Sequence, residues 1–182
     1  VRNNFMQSSS TQTITNQISS LGGSTSNPNS SNVYIFNQSY GNNNSDDFSI
    51  SSSLETQLIS GVTNLRSGKG AIYIKSAGNG FESFGSVDCG RAYTSGLTCQ
   101  NTNMDPENAV PWQIIVGAGN ADGQHSSYST AGSSIWVSAP GGEYGKDSSL
   151  GWTAGVGTKP AMLTTDQSNC TIGYSRSPYG SY

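Results

Sequence analysis

A single histidine limits the catalytic chemistry that this chain can complete on its own. His125 is the only histidine among the 182 residues, so any nucleophile activated by an imidazole within the chain must use it. The residues around it, ADGQHSSYS, are typical of a polar turn, and the adjacent Ser126 cannot easily aim its hydroxyl at the neighbouring ring. We therefore predict an exposed loop histidine. No G-x-S-x-G elbow, H-E-x-x-H pair or phosphate-binding loop occurs either, so we predict no complete catalytic site within the chain.

Two adjacent acidic residues, Asp46 and Asp47, favour a solvated turn over a pair of catalytic carboxylates. They follow three asparagines in a polar segment. Glycoside hydrolysis needs two carboxyl groups that flank the scissile bond, and the sequence places no second carboxylate opposite this loop. We therefore do not predict a glycosidase.

The segment SAGNG, residues 76–80, offers more specific chemistry. Ala77 and Gly78 have so little side-chain bulk that another backbone can approach them closely. Asn79 then places a carboxamide at the end of an apolar run, where it can donate a hydrogen bond to a developing oxyanion. By themselves, these five residues are explained more simply as a turn built on Gly-Asn-Gly.

Composition and charge exclude several classes of function. Eight basic and eleven acidic residues give a formal net charge of −3, and a patch that binds nucleic acid is therefore not expected. No apolar run approaches the roughly 20 residues that a bilayer requires, so we predict no membrane span. Neither end has the pattern of a finished terminus, and we interpret both as cuts in a longer chain.

Three cysteines indicate one disulfide and an oxidising compartment. Their spacing matches no zinc-ligand set. Cys89 and Cys99 bound the segment CGRAYTSGLTC, which has little apolar content, and a bridge between them would stabilise it by roughly 3 kcal/mol. We predict that bridge over free thiols, and a secreted or periplasmic protein. Cys170 then has its partner outside this chain.

The most regular hydrophobic pattern predicts a helix over Ser51 to Arg66. Leucine and valine recur there at helical spacing, and Ser52 with Glu55 matches a capping box. A weaker pattern, formed by Ile14, Ile18 and Leu21, indicates a short helix near the start.

Four short apolar runs predict strands. They are Val33–Phe36, Ala71–Ile74, Gln113–Val116 and Ile135–Val137. Because a helix separates the first two, they form a βαβ unit with parallel strands, and the loops NQSYG and SAGNG follow their carboxyl ends. Functional loops cluster at such ends. The stretch Phe81–Asn108 is predicted to be irregular.

Three blocks of sequence, in order, resemble the subtilisin-like serine peptidases, and their kexin-like and secreted bacterial members most of all. The blocks are NQSYG, GKGAIYIKSAGNG and IIVGAGNADGQHSSYSTAGSSIWVSAPGGE; the later TTDQSNC resembles the strand before the family's nucleophile segment. The resemblance implies an α/β fold with a mostly parallel sheet flanked by helices and incomplete at both ends. Residues 1–182 would be the central part of a single peptidase domain. The implied reaction is serine-type endopeptidase hydrolysis of a polypeptide substrate.

The resemblance also implies roles for particular residues. Asn79 matches the family's oxyanion-hole asparagine. The remaining positions match the segments that hold the substrate: Ser39, Tyr40 and Gly41 along its backbone, and Ser76, Ala77 and Gly78 as a wall of the pocket for the residue before the scissile bond.

Some features of the family are not found in this chain. The resemblance places the catalytic aspartate and histidine before Val1 and the nucleophilic serine after Tyr182, so the chain alone is expected to be inactive. Thr130 stands where kexin-like members tend to have an acid that helps bind calcium, so no metal ligands are assigned. The chemistry requires no cofactor.

The alternative interpretation is a non-catalytic peptide-binding module or an adhesin-like surface module, and a β-solenoid adhesin would lack the helix over Ser51 to Arg66.

Overall fold

The computed structural model describes residues 13–26, 29–41, 49–84, 87–143 and 160–162. Nine helices and strands are labelled among these residues. In chain order they are α1 (Ile14–Ile18), β1 (Ile35–Gln38), α2 (Ser52–Gly68), β2 (Ile72–Ser76), β3 (Ser83–Phe84), β4 (Val87–Asp88), α3 (Gly90–Thr94), β5 (Ile114–Gly119) and β6 (Ile135–Pro140).

A four-stranded parallel sheet organises the described part of the chain. Its strand order is β1-β2-β5-β6, and every neighbouring pair runs parallel. The helix α2 connects β1 to β2, as the predicted βαβ unit requires. The predicted α/β class is therefore confirmed. The strands extend beyond the predicted apolar runs, because polar residues such as Gln38 and Ser76 continue the pairing at the carboxyl ends.

The core lies between α2 and one face of the sheet. Phe36 and Tyr73 are register partners whose rings stack with centroids 4.8 Å apart. Leu54 and Leu58 of α2 are buried with them. Close packing depends on Gly61, since a Cβ there would lie 1.9 Å from the Tyr73 hydroxyl oxygen.

The two ends of α2 differ in detail from the prediction. Ser51 is the N-cap residue and makes no side-chain capping bond, and the Glu55 carboxylate instead accepts a hydrogen bond from the Trp112 indole at 3.4 Å. The capping-box prediction was wrong because the helix begins at Ser52, so Ser51 and not Ser52 is the N-cap residue. At the other end, Arg66 and Ser67 have left-handed φ angles of 58° and 60°. The regular helix therefore ends before Arg66, the last residue of the predicted helix.

The segments outside the βαβ unit are partly as predicted. The short helix α1 continues into a π-helical turn at Ser19–Gly23, where Leu21 is buried, but Ile14 is 40% exposed. The stretch predicted to be irregular contains β3, β4, α3 and a 3-10 turn at Thr102–Met104. The short helix predicted near the start is therefore confirmed, whereas the local hydrophobic pattern of Phe81–Asn108 is too weak to predict elements this short.

The first two strands, β1 and β2, are buried on one sheet face only. On the other face, Ile35 and Ile72 are register partners and are 56% and 47% exposed. Trp136 of β6 is 67% exposed. Among the residues described, no helix is both long and apolar enough to cross a bilayer.

Replacing Leu58 by alanine is expected to destabilise the protein strongly. The Leu58 side chain is fully buried, so its truncation removes apolar contacts and leaves a cavity that typically costs about 2–5 kcal/mol. Ile59→Ala on the same helix is the control, because Ile59 is 38% exposed. Thermal or denaturant unfolding of the longer protein measures both, and equal losses for the two variants would contradict this packing.

Candidate functional site

The two segments predicted to hold a substrate lie side by side at one edge of the sheet. Gln38 of β1 and Lys75 of β2 are register partners at the carboxyl end of this strand pair. The segments 39–41 and 76–78 therefore run alongside one another there. Ser39 and Gly41 are exposed, Ala77 is buried, and the side chain of Asn79 is exposed next to them. All seven residues that the resemblance assigned to catalysis and substrate binding thus lie at or just after the carboxyl ends of the neighbouring strands β1 and β2.

The backbone around Asn79 is held by hydrogen bonds on both sides. Gly78 has a φ of 102°, a conformation that side chains other than glycine rarely adopt. Its carbonyl accepts a hydrogen bond from the Thr130 backbone N–H at 3.0 Å. The Gly80 N–H donates to the Thr130 hydroxyl oxygen at 2.7 Å, and the Ala77 N–H donates to the Val116 carbonyl at 2.9 Å. An exposed carboxamide is therefore presented by a fixed turn.

The predicted disulfide between Cys89 and Cys99 is present. The segment that follows it pairs with the residues just after Asn79. Cys99 donates its backbone N–H to the Phe81 carbonyl, and Gln100 donates to the Gly80 carbonyl, both at 2.8 Å. The disulfide therefore anchors a segment that contacts the turn directly.

A buried ammonium group lies behind the two substrate segments. The Lys75 side chain is fully buried, and its Nζ lies 2.7 Å from Asp105 Oδ2 and 2.8 Å from Asn108 Oδ1. Gly41 packs against the same carboxylate, because an added Cβ would lie 3.0 Å from Asp105 Oδ2. This ion pair therefore contributes to the position of both segments.

A chain of polar contacts links this ion pair to Tyr40. The Tyr40 hydroxyl donates to Gln38 Oε1 at 2.6 Å, and the Gln38 amide donates to Gln113. Gln113 in turn donates to the Glu107 backbone carbonyl at 2.9 Å, and Gln17 donates to Glu107 Oε1 at 2.8 Å. Tyr40 is therefore held by a buried network and has a structural contact as well as a predicted binding role.

Burial changes the acidity of two members of this network. Desolvation raises the pKa of the Tyr40 hydroxyl above its usual value. It also raises the pKa of the Glu107 carboxyl, against the opposing effects of the Gln17 hydrogen bond and the Lys75 charge. Glu107 Oε2 lies 4.0 Å from Lys75 Nζ and has no hydrogen-bond partner among the residues that the structure describes. The neutral form of the Glu107 carboxyl group is therefore favoured more than the neutral form of a solvated carboxyl group.

His125 is an exposed loop histidine, as predicted. Its ring packs on Phe81 with centroids 4.4 Å apart, and Nδ1 lies 2.8 Å from the backbone oxygen of Ser126. Within the described ranges the buried Ser126 hydroxyl has no hydrogen-bond partner, so these two side chains do not form a nucleophile and base. His125 also lines an open cavity of about 280 Å³ at the carboxyl ends of β5 and β6.

Several predicted features lie outside the described residues, namely Asp46, Asp47, Cys170 and the TTDQSNC segment. Within the described part of the chain, no three His, Cys, Asp or Glu side chains gather as metal ligands. Thr130, at the position of the calcium-binding acid in kexin-like members, uses its hydroxyl to accept the Gly80 N–H.

Sequence reasoning missed the residues that support the site, chiefly Lys75, Asn108 and Thr130. One signal was available for Lys75, because it alternates with Tyr73 along β2 and therefore shares its buried face. A charged residue on such a face predicts a buried partner of opposite charge. The partner itself, 30 residues further along the chain, has no local signal.

Replacing Lys75 by methionine is expected to destabilise the protein by about 3–5 kcal/mol, because Asp105 would remain buried without its counter-ion. The double variant Lys75→Met, Asp105→Leu should recover much of this loss. Lys69→Met is the control, since Lys69 is exposed. Unfolding curves compare the three, and a Lys75→Met protein as stable as the control would contradict the ion pair's role.

The raised pKa of Glu107 predicts a pH-dependent stability. The folded protein holds the Glu107 proton more tightly than the unfolded chain does. The free energy of unfolding therefore falls as the pH rises from the pKa of Glu107 in the unfolded chain to its raised pKa in the folded protein. Glu107→Gln removes this titration. The difference in unfolding free energy between wild type and Glu107→Gln should therefore change across this acidic window, and Glu82→Gln, which replaces an exposed carboxylate, is the matched control. Parallel pH profiles for wild type and Glu107→Gln would contradict the assignment.

Comparison with known proteins extends the resemblance over almost the whole sequence. The sequence model of the subtilase family, peptidase family S8, matches residues 2–181. An extracellular serine protease of Aeromonas sobria is 42% identical over 147 residues, which are 78% of this chain and 22% of that protein. A microbial serine proteinase of Aeromonas salmonicida is 42% identical over 109 residues, or 58% of this chain and 16% of that protein. The chain thus spans less than a quarter of these relatives' length.

Solved structures agree with the sequence relatives. Two crystal structures of the Aeromonas sobria serine protease, one of them in complex with a chaperone, each superpose with a TM-score of 0.68. Their sequence identities to this chain are 34% and 36%, and the match covers 92% of this chain and 26% of theirs. With the parallel sheet and its SAGNG turn, these findings establish that the chain belongs to the subtilase family.

Proposed function

We propose that this chain forms the substrate cleft and one oxyanion donor of a secreted serine-type endopeptidase. The observation that carries the proposal is the position of Asn79. Its carboxamide is exposed at the end of the segment 76–78, while the backbone on both sides of it is hydrogen-bonded to buried Thr130. A donor that is oriented before the reaction stabilises charge that develops only in the transition state.

The polypeptide substrate binds as an added strand along 39–41. Ser39 and Gly41 are exposed at the end of β1, where an extended peptide can continue the sheet's hydrogen-bonding pattern. Gly41 leaves room for the peptide backbone to approach. The side chain before the scissile bond then lies between this segment and the wall formed by 76–78, which neighbours it at the end of β2.

The scissile carbonyl is held at Asn79. Attack by a serine hydroxyl converts this carbonyl into a tetrahedral intermediate with a negatively charged oxygen, and collapse of the intermediate expels the amine and leaves an acyl-enzyme. Asn79 Nδ2 donates a hydrogen bond to that oxygen. The serine, histidine and aspartate of the triad are not assigned to any residue of this chain, which contributes binding and charge stabilisation.

Secretion is the proposed localisation, and it rests on two observations. The Aeromonas sobria relative is named as an extracellular protease. The Cys89–Cys99 disulfide is typical of oxidising compartments outside the cytosol. A periplasmic stage or residence is equally compatible with this disulfide, and fractionation of the producing cells distinguishes the two locations.

Replacing Asn79 by alanine in the complete protein tests the proposal. We expect kcat on a peptide ester to fall by roughly 10²- to 10³-fold with KM little changed, because the donor acts in the transition state. That magnitude belongs to the equivalent donor of subtilisin, a member of the same family, and is adopted here from it. The matched control is Asn64→Ala, an exposed asparagine on α2.

An unchanged kcat for Asn79→Ala, in a protein that hydrolyses the ester, would remove Asn79 from the mechanism. A complete protein that binds peptides but hydrolyses none would support the non-catalytic peptide-binding alternative.

A further inference from the structure

We propose that Thr130 is a positioning residue for the oxyanion donor, which it holds through the two residues that flank Asn79. The proposal rests on the function proposed for Asn79. Thr130 is 50 residues from Gly80 in sequence and only 1% exposed. Its contacts are with the turn itself.

Thr130 binds the turn at two points. Its backbone N–H donates to the Gly78 carbonyl at 3.0 Å, before Asn79. Its hydroxyl oxygen accepts the Gly80 N–H at 2.7 Å, after Asn79. These two bonds fix the peptide groups on either side of the residue whose side chain donates to the oxyanion.

The turn needs this external support because of its composition. Gly78 and Gly80 allow many more backbone conformations than other residues, and Gly78 has a left-handed φ of 102°. Asn79 itself is exposed, so side-chain packing does not hold it. Without the Thr130 hydroxyl, the buried Gly80 loses its hydrogen-bond acceptor and the turn can rearrange to find another.

Thr130 is itself held firmly. The next residue, Ala131, donates its N–H to the Thr98 hydroxyl at 3.3 Å, and its carbonyl accepts from the Thr102 N–H at 3.0 Å. The segment that contains Thr98 and Thr102 also contains Cys99, which forms the disulfide with Cys89. The positioning bonds therefore come from a residue whose neighbour is held by the segment that follows the disulfide.

The test uses the complete protease with Thr130→Val, which keeps the shape and the backbone N–H but removes the acceptor. We expect kcat on a peptide ester to fall on the order of tenfold to a hundredfold with KM within about twofold, because small displacements of a catalytic group have effects of this size. Thr130→Ser keeps a hydroxyl and should restore most of kcat. The matched control is Tyr73→Phe, which removes a buried hydroxyl that donates to the Leu21 carbonyl and should lower thermal stability without lowering kcat.

A double-mutant cycle separates positioning from general damage. If Thr130 acts through Asn79, Thr130→Val should lower kcat by less than about twofold in the Asn79→Ala background. The same fold loss in both backgrounds would overturn the proposal, as would a wild-type kcat for Thr130→Val alone. Both results leave the role of Asn79 intact. A wild-type kcat for Asn79→Ala, in contrast, overturns the oxyanion assignment and the positioning role together.

A measurement on the wild-type protein keeps the proposal testable if Thr130→Val does not fold. The Gly80 amide should exchange with solvent slowly, since it is bonded to a buried hydroxyl. Exchange of this amide at the rate of an unprotected loop would overturn the proposal.

Discussion

The buried ammonium of Lys75 is the constraint on which the rest of the site depends. A charge that is fully removed from water must have a close counter-ion and further hydrogen bonds, and Asp105 and Asn108 supply them. To do so, the chain between α3 and β5 has to return beneath the carboxyl end of β2. Asn108 then reaches the Ala77 carbonyl at 3.5 Å, and Asp105 lies against Gly41. The need to neutralise the Lys75 charge thus brings together the carboxyl end of β2, Gly41 after β1, and the loop that contains Asp105 and Asn108.

The site combines an exposed functional group with a rigid support. Asn79 is accessible to a substrate, but the residues beside it are bonded to Thr130, Gln100 and Val116. These partners come from three separate segments, so the turn cannot move without breaking contacts in each of them. Such preorganisation is what an oxyanion donor requires, because reorientation during the reaction would consume the stabilisation it gives.

Polar networks of this kind replace apolar packing at the edge of the sheet. The core between α2 and the sheet is made of side chains such as Leu58, Phe36 and Tyr73. Towards the carboxyl ends, the same sheet face instead carries Gln38 and Lys75, which are 2% and 0% exposed. Each polar group there needs a partner of defined geometry, so the network determines the position of its members more narrowly than apolar contacts do. This network lies where the segments 39–41 and 76–78, proposed to hold the substrate, begin.

The sequence by itself determined the α/β class, the parallel βαβ unit, the disulfide and the family. It did so because these features have local or ordered signals: the period of α2, the apolar strand runs, the two close cysteines and the SAGNG motif. The tertiary structure alone decided which distant residues meet. Glu55 accepts from Trp112 instead of capping its helix, Lys75 pairs with Asp105, and Thr130 bonds to both sides of Asn79. Hydrogen bonds between residues that are 30 to 57 positions apart leave no periodic pattern in the sequence. Their geometry exists only once the strands and loops have packed.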